Sequence, residues 1–206
     1  MGNFKAIRGK VIVQSHVNQK EALLIKGKGG KMIELWIGRQ YDENNRRKNP
    51  VLCTVIDNNS KYDYIKTGDM LLVHHNYLSG GEDNPFCLEY DRERGIGIYS
   101  FLASNNIFCI LKPDGTVKPV CENILAERLP NAITTSLIII PDTVKQEHED
   151  RVKVIAVSPE VEGIKSGDII AILNKADYEI CYSWGKEDYS VIKIFMEDAI
   201  GVLAEV

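Results

Sequence analysis

The sequence has little excess charge of either sign. Its 25 Lys and Arg stand against 29 Asp and Glu, a net charge of −4. That balance leaves no basic footprint for nucleic acid. Arg46-Arg47-Lys48 is a short basic cluster that reads as a solvated loop. Long apolar runs are also missing. None reaches the roughly 20 residues that a membrane-spanning helix needs, so no membrane partner is expected. The N-terminus shows no signal-peptide pattern. Met1-Gly2 is followed by Ala6, where a myristoylation signal has Ser or Thr.

Cysteine is scarce and unpaired in pattern. Cys53, Cys87, Cys109, Cys121 and Cys181 are odd in number and form no CxxC. They mostly sit in apolar surroundings, which suits small buried hydrophobes in a reducing compartment better than a disulfide framework. No long segment carries helical periodicity. No nucleophile, base and acid stand at usable spacing, so neither an enzyme nor a cofactor is expected. Gly27-Lys28-Gly29-Gly30-Lys31 lacks the Gly-Lys-Ser/Thr ending of a phosphate loop. His74 and His75 alternate across a strand and point to opposite faces, so they read as structural rather than as ligands of a metal. The acidic residues Glu82-Asp83 and Glu89 to Glu93 read as a solvated loop.

What the chain does have is the same pattern twice. Alternating strands open each half, Ala6 to Val13 and Val117 to Leu125. Apolar strands follow at Pro50 to Ile56 and Val152 to Val157. The closest match comes next: Ile65-Lys66-Thr67-Gly68-Asp69-Met70-Leu71-Leu72-Val73 against Ile164-Lys165-Ser166-Gly167-Asp168-Ile169-Ile170-Ala171-Ile172. Short apolar strands close the halves at Asn106 to Leu111 and Ala199 to Ala204. A duplication this regular predicts two domains, 1–112 and 116–206, joined at the turn-forming Lys112-Pro113-Asp114-Gly115. Short strands rich in Val, Ile and Tyr with turn punctuation predict an all-β chain of two small barrels or sandwiches in series. Lys26 to Lys48 and Leu78 to Arg94 read as long loops, which in compact domains are usually functional or mobile.

The second half resembles the GroES-like co-chaperonin family. The resemblance rests on Val117-Lys118-Pro119 leading into an alternating strand, and on Ile138-Ile139-Ile140-Pro141 in the slot of that family's mobile loop. It rests also on the Lys-x-Gly-Asp turn and on Glu197-Asp198 before a closing apolar strand. It covers about the last 90 residues. The first half is a looser match. Gly29-Gly30 precede Lys31-Met32-Ile33-Glu34-Leu35, where a charge interrupts the apolar run, and a stretch from Asn76 to Tyr99 is inserted. Val157 to Ile164 and Ile56 to Ile65 are too short for the roof hairpin many members carry before the Gly-Asp turn.

The resemblance implies two tandem GroES-like barrels with long loops. It also implies a cytoplasmic lid protein (in the host cytoplasm if a phage encodes it) that forms a homo-oligomeric ring and caps a chaperonin chamber during ATP-dependent folding. Its partner contacts would be Ile138, Ile139 and Ile140, with Met32, Ile33 and Leu35 at the corresponding place in the first loop. Subunit contacts would come from Val117, Val120, Ile124, Ile200, Val202 and Leu203. Three exposed β-branched residues bury about 1.5–3 kcal/mol each in an apolar groove, and ordering a flexible loop takes back much of it. One loop then binds weakly, and a ring of loops gains avidity. The residues alone leave Leu137 to Ile140 open between this loop and a strand buried on both faces. For Met32, Ile33 and Leu35 a core strand is preferred. A second implied role is a structural ring or assembly subunit, viral or cellular, without chaperonin binding. A third, the barrel of a zinc alcohol dehydrogenase, lacks its zinc ligands and its dinucleotide-binding domain here.

Overall fold

The computed structural model describes residues 4–15, 22–26, 32–36, 47–48, 50–74, 77–78, 81–104, 106–130, 147–173, 176, 178–184 and 187–203. Among them the fold is all-β, with short 3-10 turns at Gly81–Asp83 and Met196–Asp198. The first half supplies β1 (Lys10–Ser15), β2 (Ala22–Lys26), β3 (Met32–Trp36), β4 (Arg47–Lys48), β5 (Val51–Asn58), β6 (Met70–Val73), β7 (Cys87–Asp91), β8 (Ile96–Leu102) and β9 (Ile107–Leu111). The second supplies β10 (Val117–Pro119), β11 (Asn123–Pro130), β12 (Glu147–Val157), β13 (Ile169–Ile172), β14 (Tyr178–Trp184), β15 (Glu187–Phe195) and β16 (Ala199–Leu203).

These strands form two seven-stranded sheets, ordered β10-β9-β6-β5-β1-β8-β7 and β16-β13-β12-β11-β15-β14-β4, and a separate β2-β3 pair. Alternation decides the faces. In β5, Val51, Cys53 and Val55 are buried while their neighbours are only partly so, the period of two that a pleated strand imposes. One core cluster gathers Val11, Val13, Val55, Leu71, Tyr99 and Phe101 in the first half. Another gathers Ile124, Val152, Val154, Ile170, Ile192 and Ile194 in the second.

Six strands of each sheet follow one wiring, β9-β6-β5-β1-β8-β7 and β16-β13-β12-β11-β15-β14, and they agree in detail. Val11 faces Asn58 and Val13 faces Val55 across a bulge; Ile124 faces Val157 and Ala126 faces Val154 across the same bulge. The Gly-Asp turns match bond for bond. Asp69 Oδ2 accepts the Lys66 N–H at 2.8 Å, and Asp168 Oδ2 accepts the Lys165 N–H at 2.9 Å. Gly68 and Gly167 both lie in the left-handed region, φ 91° and 94°. A methyl group at either position would meet open space, so only the backbone conformation penalises a side chain there. Gly68→Ala and Gly167→Ala are each expected to lower stability by about 1–2 kcal/mol, read as equal shifts of the urea midpoint.

Four sequence expectations change. The opening strand does not start at Ala6. Arg8 and Gly9 turn at positive φ, 52° and 76°, and β1 begins at Lys10. The stretch Val117 to Leu125 is likewise broken at Cys121 and Glu122, φ 55° and 65°. Its first piece, β10, joins the first half's sheet by pairing with β9. Leu78 to Arg94 is not one long loop, because β7 and β8 form a hairpin. Asp91 Oδ1 accepts the N–H groups of Glu93 and Arg94, both at 3.0 Å, and Gly95 completes the turn at φ 65°. This hairpin occupies the place of β14-β15 in the other sheet, so both halves have it. The stretch Lys26 to Lys48 contains β3 and β4. No strand lies within 59–69 or 158–168, where a roof hairpin would sit.

Candidate partner-binding and assembly surfaces

The two sheets exchange edge strands. The backbone of β10 runs antiparallel to β9, with Val117 opposite Leu111, Lys118 opposite Ile110 and Pro119 opposite Cys109. The ladder continues at both ends: Lys112 donates its N–H to Thr116 O at 2.8 Å, and Val120 donates to Phe108 O at 3.4 Å. Antiparallel bonds alternate along a strand, so Thr116, Lys118 and Val120 face β9. Pro119, which has no N–H, faces away and costs the ladder nothing. In return β4, from the first half, runs parallel to β14, with Arg47 beside Glu179 and Lys48 beside Ile180.

Side chains fasten the same junction. Leu72, Phe108, Cys109 and Leu111 share one buried cluster with Leu125, Ile180 and Tyr182. The amide of Asn123, fully buried, donates to Ile107 O at 2.8 Å, Val120 O at 2.7 Å and Phe108 O at 3.4 Å. Tyr64 donates its hydroxyl to Glu160 Oε2 at 2.9 Å and accepts the Cys121 N–H at 3.2 Å. Burial, above all, pushes the Tyr64 phenol well above its usual range, and the Glu160 carboxylate adds to this. Burial also pushes the Tyr182 phenol up to about 12; its hydroxyl donates to Gly115 O at 3.3 Å. The thiols of Cys53, Cys109 and Cys121 are pushed up by burial as well. None of these thiols is poised as a nucleophile.

One residue of this junction escaped the sequence reading. Lys193 on β15 is buried, with Nζ 5.3 Å from the ring centroid of Phe108, 5.4 Å from that of Tyr178 and 2.9 Å from that of Phe195. A cation among three rings is held by their quadrupoles. The available signal was a lone Lys inside the apolar run Val191 to Phe195.

The residues expected to meet partners are scattered. Ile138, Ile139 and Ile140 lie outside the described residues. Met32, Ile33 and Leu35 are in β3, where they pair with Lys26, Ile25 and Leu23 of β2. Val117 lies in the β9-β10 ladder, and Val120 and Ile124 are fully buried within the chain. Ile200, Val202 and Leu203 are exposed on β16, the outermost strand of its sheet. The described residues hold no cluster of His, Cys, Asp and Glu fit for a metal ion, and no helix long and apolar enough to cross a membrane.

No family model matches the chain. Among individual proteins, it is 34% identical over 87 residues to the co-chaperonin GroES of Campylobacter curvus (strain 525.92). The match takes in 42% of this chain and 95% of that protein, about the length of one of the two repeating units.

Proposed function

Because this chain belongs to the GroES-like co-chaperonin family, we propose that it is a two-domain co-chaperonin. Its domains are 1–112 and 116–206; it assembles into a ring and caps a chaperonin chamber. The observation that carries this reading is the likeness to nearly the whole length of a GroES protein. The matched wiring of the two sheets supports a tandem form. Ile138, Ile139 and Ile140 are the partner-binding residues of the second domain. In the first domain the corresponding Met32, Ile33 and Leu35 belong to a paired strand, which supports a ring-building role for that domain. A sevenfold chaperonin end is not evenly filled by whole two-domain chains. One binding loop per chain fits it better than two.

The test is Ile139→Asp. A carboxylate in an apolar groove is costly to desolvate, and avidity multiplies the loss over every loop. The variant is expected to lose capture by a nucleotide-loaded chaperonin ring in a pull-down while keeping its native mass. Undiminished capture would remove these residues from the partner surface. An unaltered chain that assembles and ignores the ring would favour the structural subunit.

A further inference from the structure

The wiring of the fold repeats, but its charge does not. Residues 1–112 carry 16 Lys and Arg against 12 Asp and Glu, a net +4, whereas residues 113–206 carry 9 against 17, a net −8. The positive excess lies in one stretch. Residues 16–49 include 8 basic and 4 acidic residues, and the rest of 1–112 balances at 8 of each. The corresponding stretch of the second half, 131–146, has one of each, Lys145 and Asp142.

The basic stretch is held at both ends. Ser15, just before it, is buried, and its hydroxyl accepts the Gly97 N–H at 2.9 Å and donates to Gly97 O at 3.3 Å. At the other end, β4 leaves its own half. It runs parallel to β14 of the acidic half, Arg47 opposite Glu179 and Lys48 opposite Ile180. The receiving strands β14 and β15 carry Glu179, Glu187 and Asp188; their one Lys is the buried Lys193, and Lys186 lies in the turn between them.

Neither side of this contact is repeated. Val55 matches Val154 in the two bulged pairings, which sets Lys48 against Glu147. Glu147 is already paired with Pro130 inside its own half, and Glu149 and Asp150 follow it. In the first sheet, β7 takes the place of β14, and no strand is added to its outer side among the described residues. There Arg92, just past β7, donates to Glu82, ahead of β7, at 3.0 Å. Only β14 receives a strand, and the strand is the basic one.

A parallel ladder of two residues is weak by itself, and a strand that short is placed by its surroundings. The opposite charges of the two pieces supply the rest at moderate salt and lose their reach as salt rises. We propose that β4 is an electrostatic clasp: the outer edge of β14 is a site for an extended basic segment, filled within the same chain by Arg47-Lys48. β3, with Met32, Ile33 and Leu35, lies in the sequence between the two held ends. The clasp thereby withholds the first half's apolar residues from a partner and leaves the chain one binding loop. That consequence rests on the proposed function; the clasp itself does not.

Trypsin reads the clasp. It cuts after Arg46, Arg47 and Lys48 when that segment leaves the ladder, at a rate set by the open population. Cleavage after Lys66, exposed in the first Gly-Asp turn, is the internal reference and cancels any effect of salt on trypsin. Raising NaCl from about 50 to about 500 mM is expected to speed cleavage at 46–48, relative to Lys66, about threefold. Glu179→Gln, which keeps an oxygen for the Ser190 hydroxyl, is expected to do the same. Glu179→Lys turns attraction into repulsion and is expected to reach about tenfold. Both variants are expected to keep the far-UV circular dichroism of the unaltered chain. A ratio unchanged by salt and by both variants overturns the clasp. The ratio is expected to be independent of protein concentration; faster cleavage on dilution would place the segment on a second copy and overturn the contact within the chain. Glu179→Lys is also expected to be captured by a nucleotide-loaded chaperonin ring at lower concentration than the unaltered chain, through the added loop. Equal capture with the clasp open overturns the withholding role. No capture of either chain overturns the lid reading, while the clasp stands.

Discussion

Phe108→Ala is expected to lower the unfolding free energy by about 3–5 kcal/mol, the range for truncating a buried aromatic ring. The ring is almost fully buried. It lies 5.3 Å from the ring of Tyr178 and 6.0 Å from that of His74, with the Lys193 ammonium 5.3 Å from its centroid. A methyl group leaves a cavity lined on one side by the first half and on the other by the second. It also strips one aromatic face from a buried cation, which costs more there than at a surface. The position therefore tests coupling as well as packing. Urea unfolding of the unaltered chain is expected to be a single transition, because one cluster joins the halves. In Phe108→Ala the transition is expected to shift down and broaden as the halves begin to melt separately. A loss below about 1 kcal/mol would mean that the shared cluster contributes little.

Asn123→Ala is expected to cost roughly 1–3 kcal/mol, the range for a buried carbonyl left without its donor: Ile107 O loses the amide, while Val120 O and Phe108 O keep the backbone N–H groups of Asn123 and Val120. Its amide serves the carbonyls of Ile107, Phe108 and Val120, one end of the ladder between the halves. Asn123→Asp is expected to be worse than the alanine. A carboxylate donates nothing and would set a charge against those carbonyl oxygens in a buried site. The counterpart of Asn123 in the first half is Lys10, which is exposed, and Lys10→Ala is expected to change stability by less than about 0.5 kcal/mol. Denaturant titrations of the three variants check the order. A carboxylate tolerated better than alanine would show that the amide hydrogens are not the essential feature.

The parts of this fold written in local chemistry were legible. Gly68-Asp69 and Gly167-Asp168 mark turns because glycine accepts positive φ and the aspartate side chain bonds back to the backbone. Short alternating apolar runs between such turns gave the all-β class. The positive-φ turn at Cys121-Glu122 was not legible, since neither residue favours that region. Without that break, Val117 to Leu125 reads as one strand, although its first three residues belong to the other half's sheet. A strand of three residues has almost no pattern of its own, and tertiary contact chooses its partner. Leu78 to Arg94 read as a loop because β7 lies at a sheet edge and is only partly covered, so its sequence need not alternate cleanly. Of the expected subunit contacts, Val120 and Ile124 have the same composition as exposed edge residues. Only the fold shows that they are consumed inside the chain, while Ile200, Val202 and Leu203 remain outside.

The hydroxyl of Tyr64 is held between Cys121 and Glu160, and the second half has no side chain at the matching position. Its counterpart in the second half is Gly163, which follows Glu162 as Tyr64 follows Asp63 before the matching Ile-Lys pair. The junction of the halves is therefore an intramolecular one, closed by the polypeptide, the amide of Asn123 and the phenol of Tyr64. Its strength is independent of protein concentration, whereas any contact between separate chains is governed by mass action. Dilution leaves the two halves of each chain together.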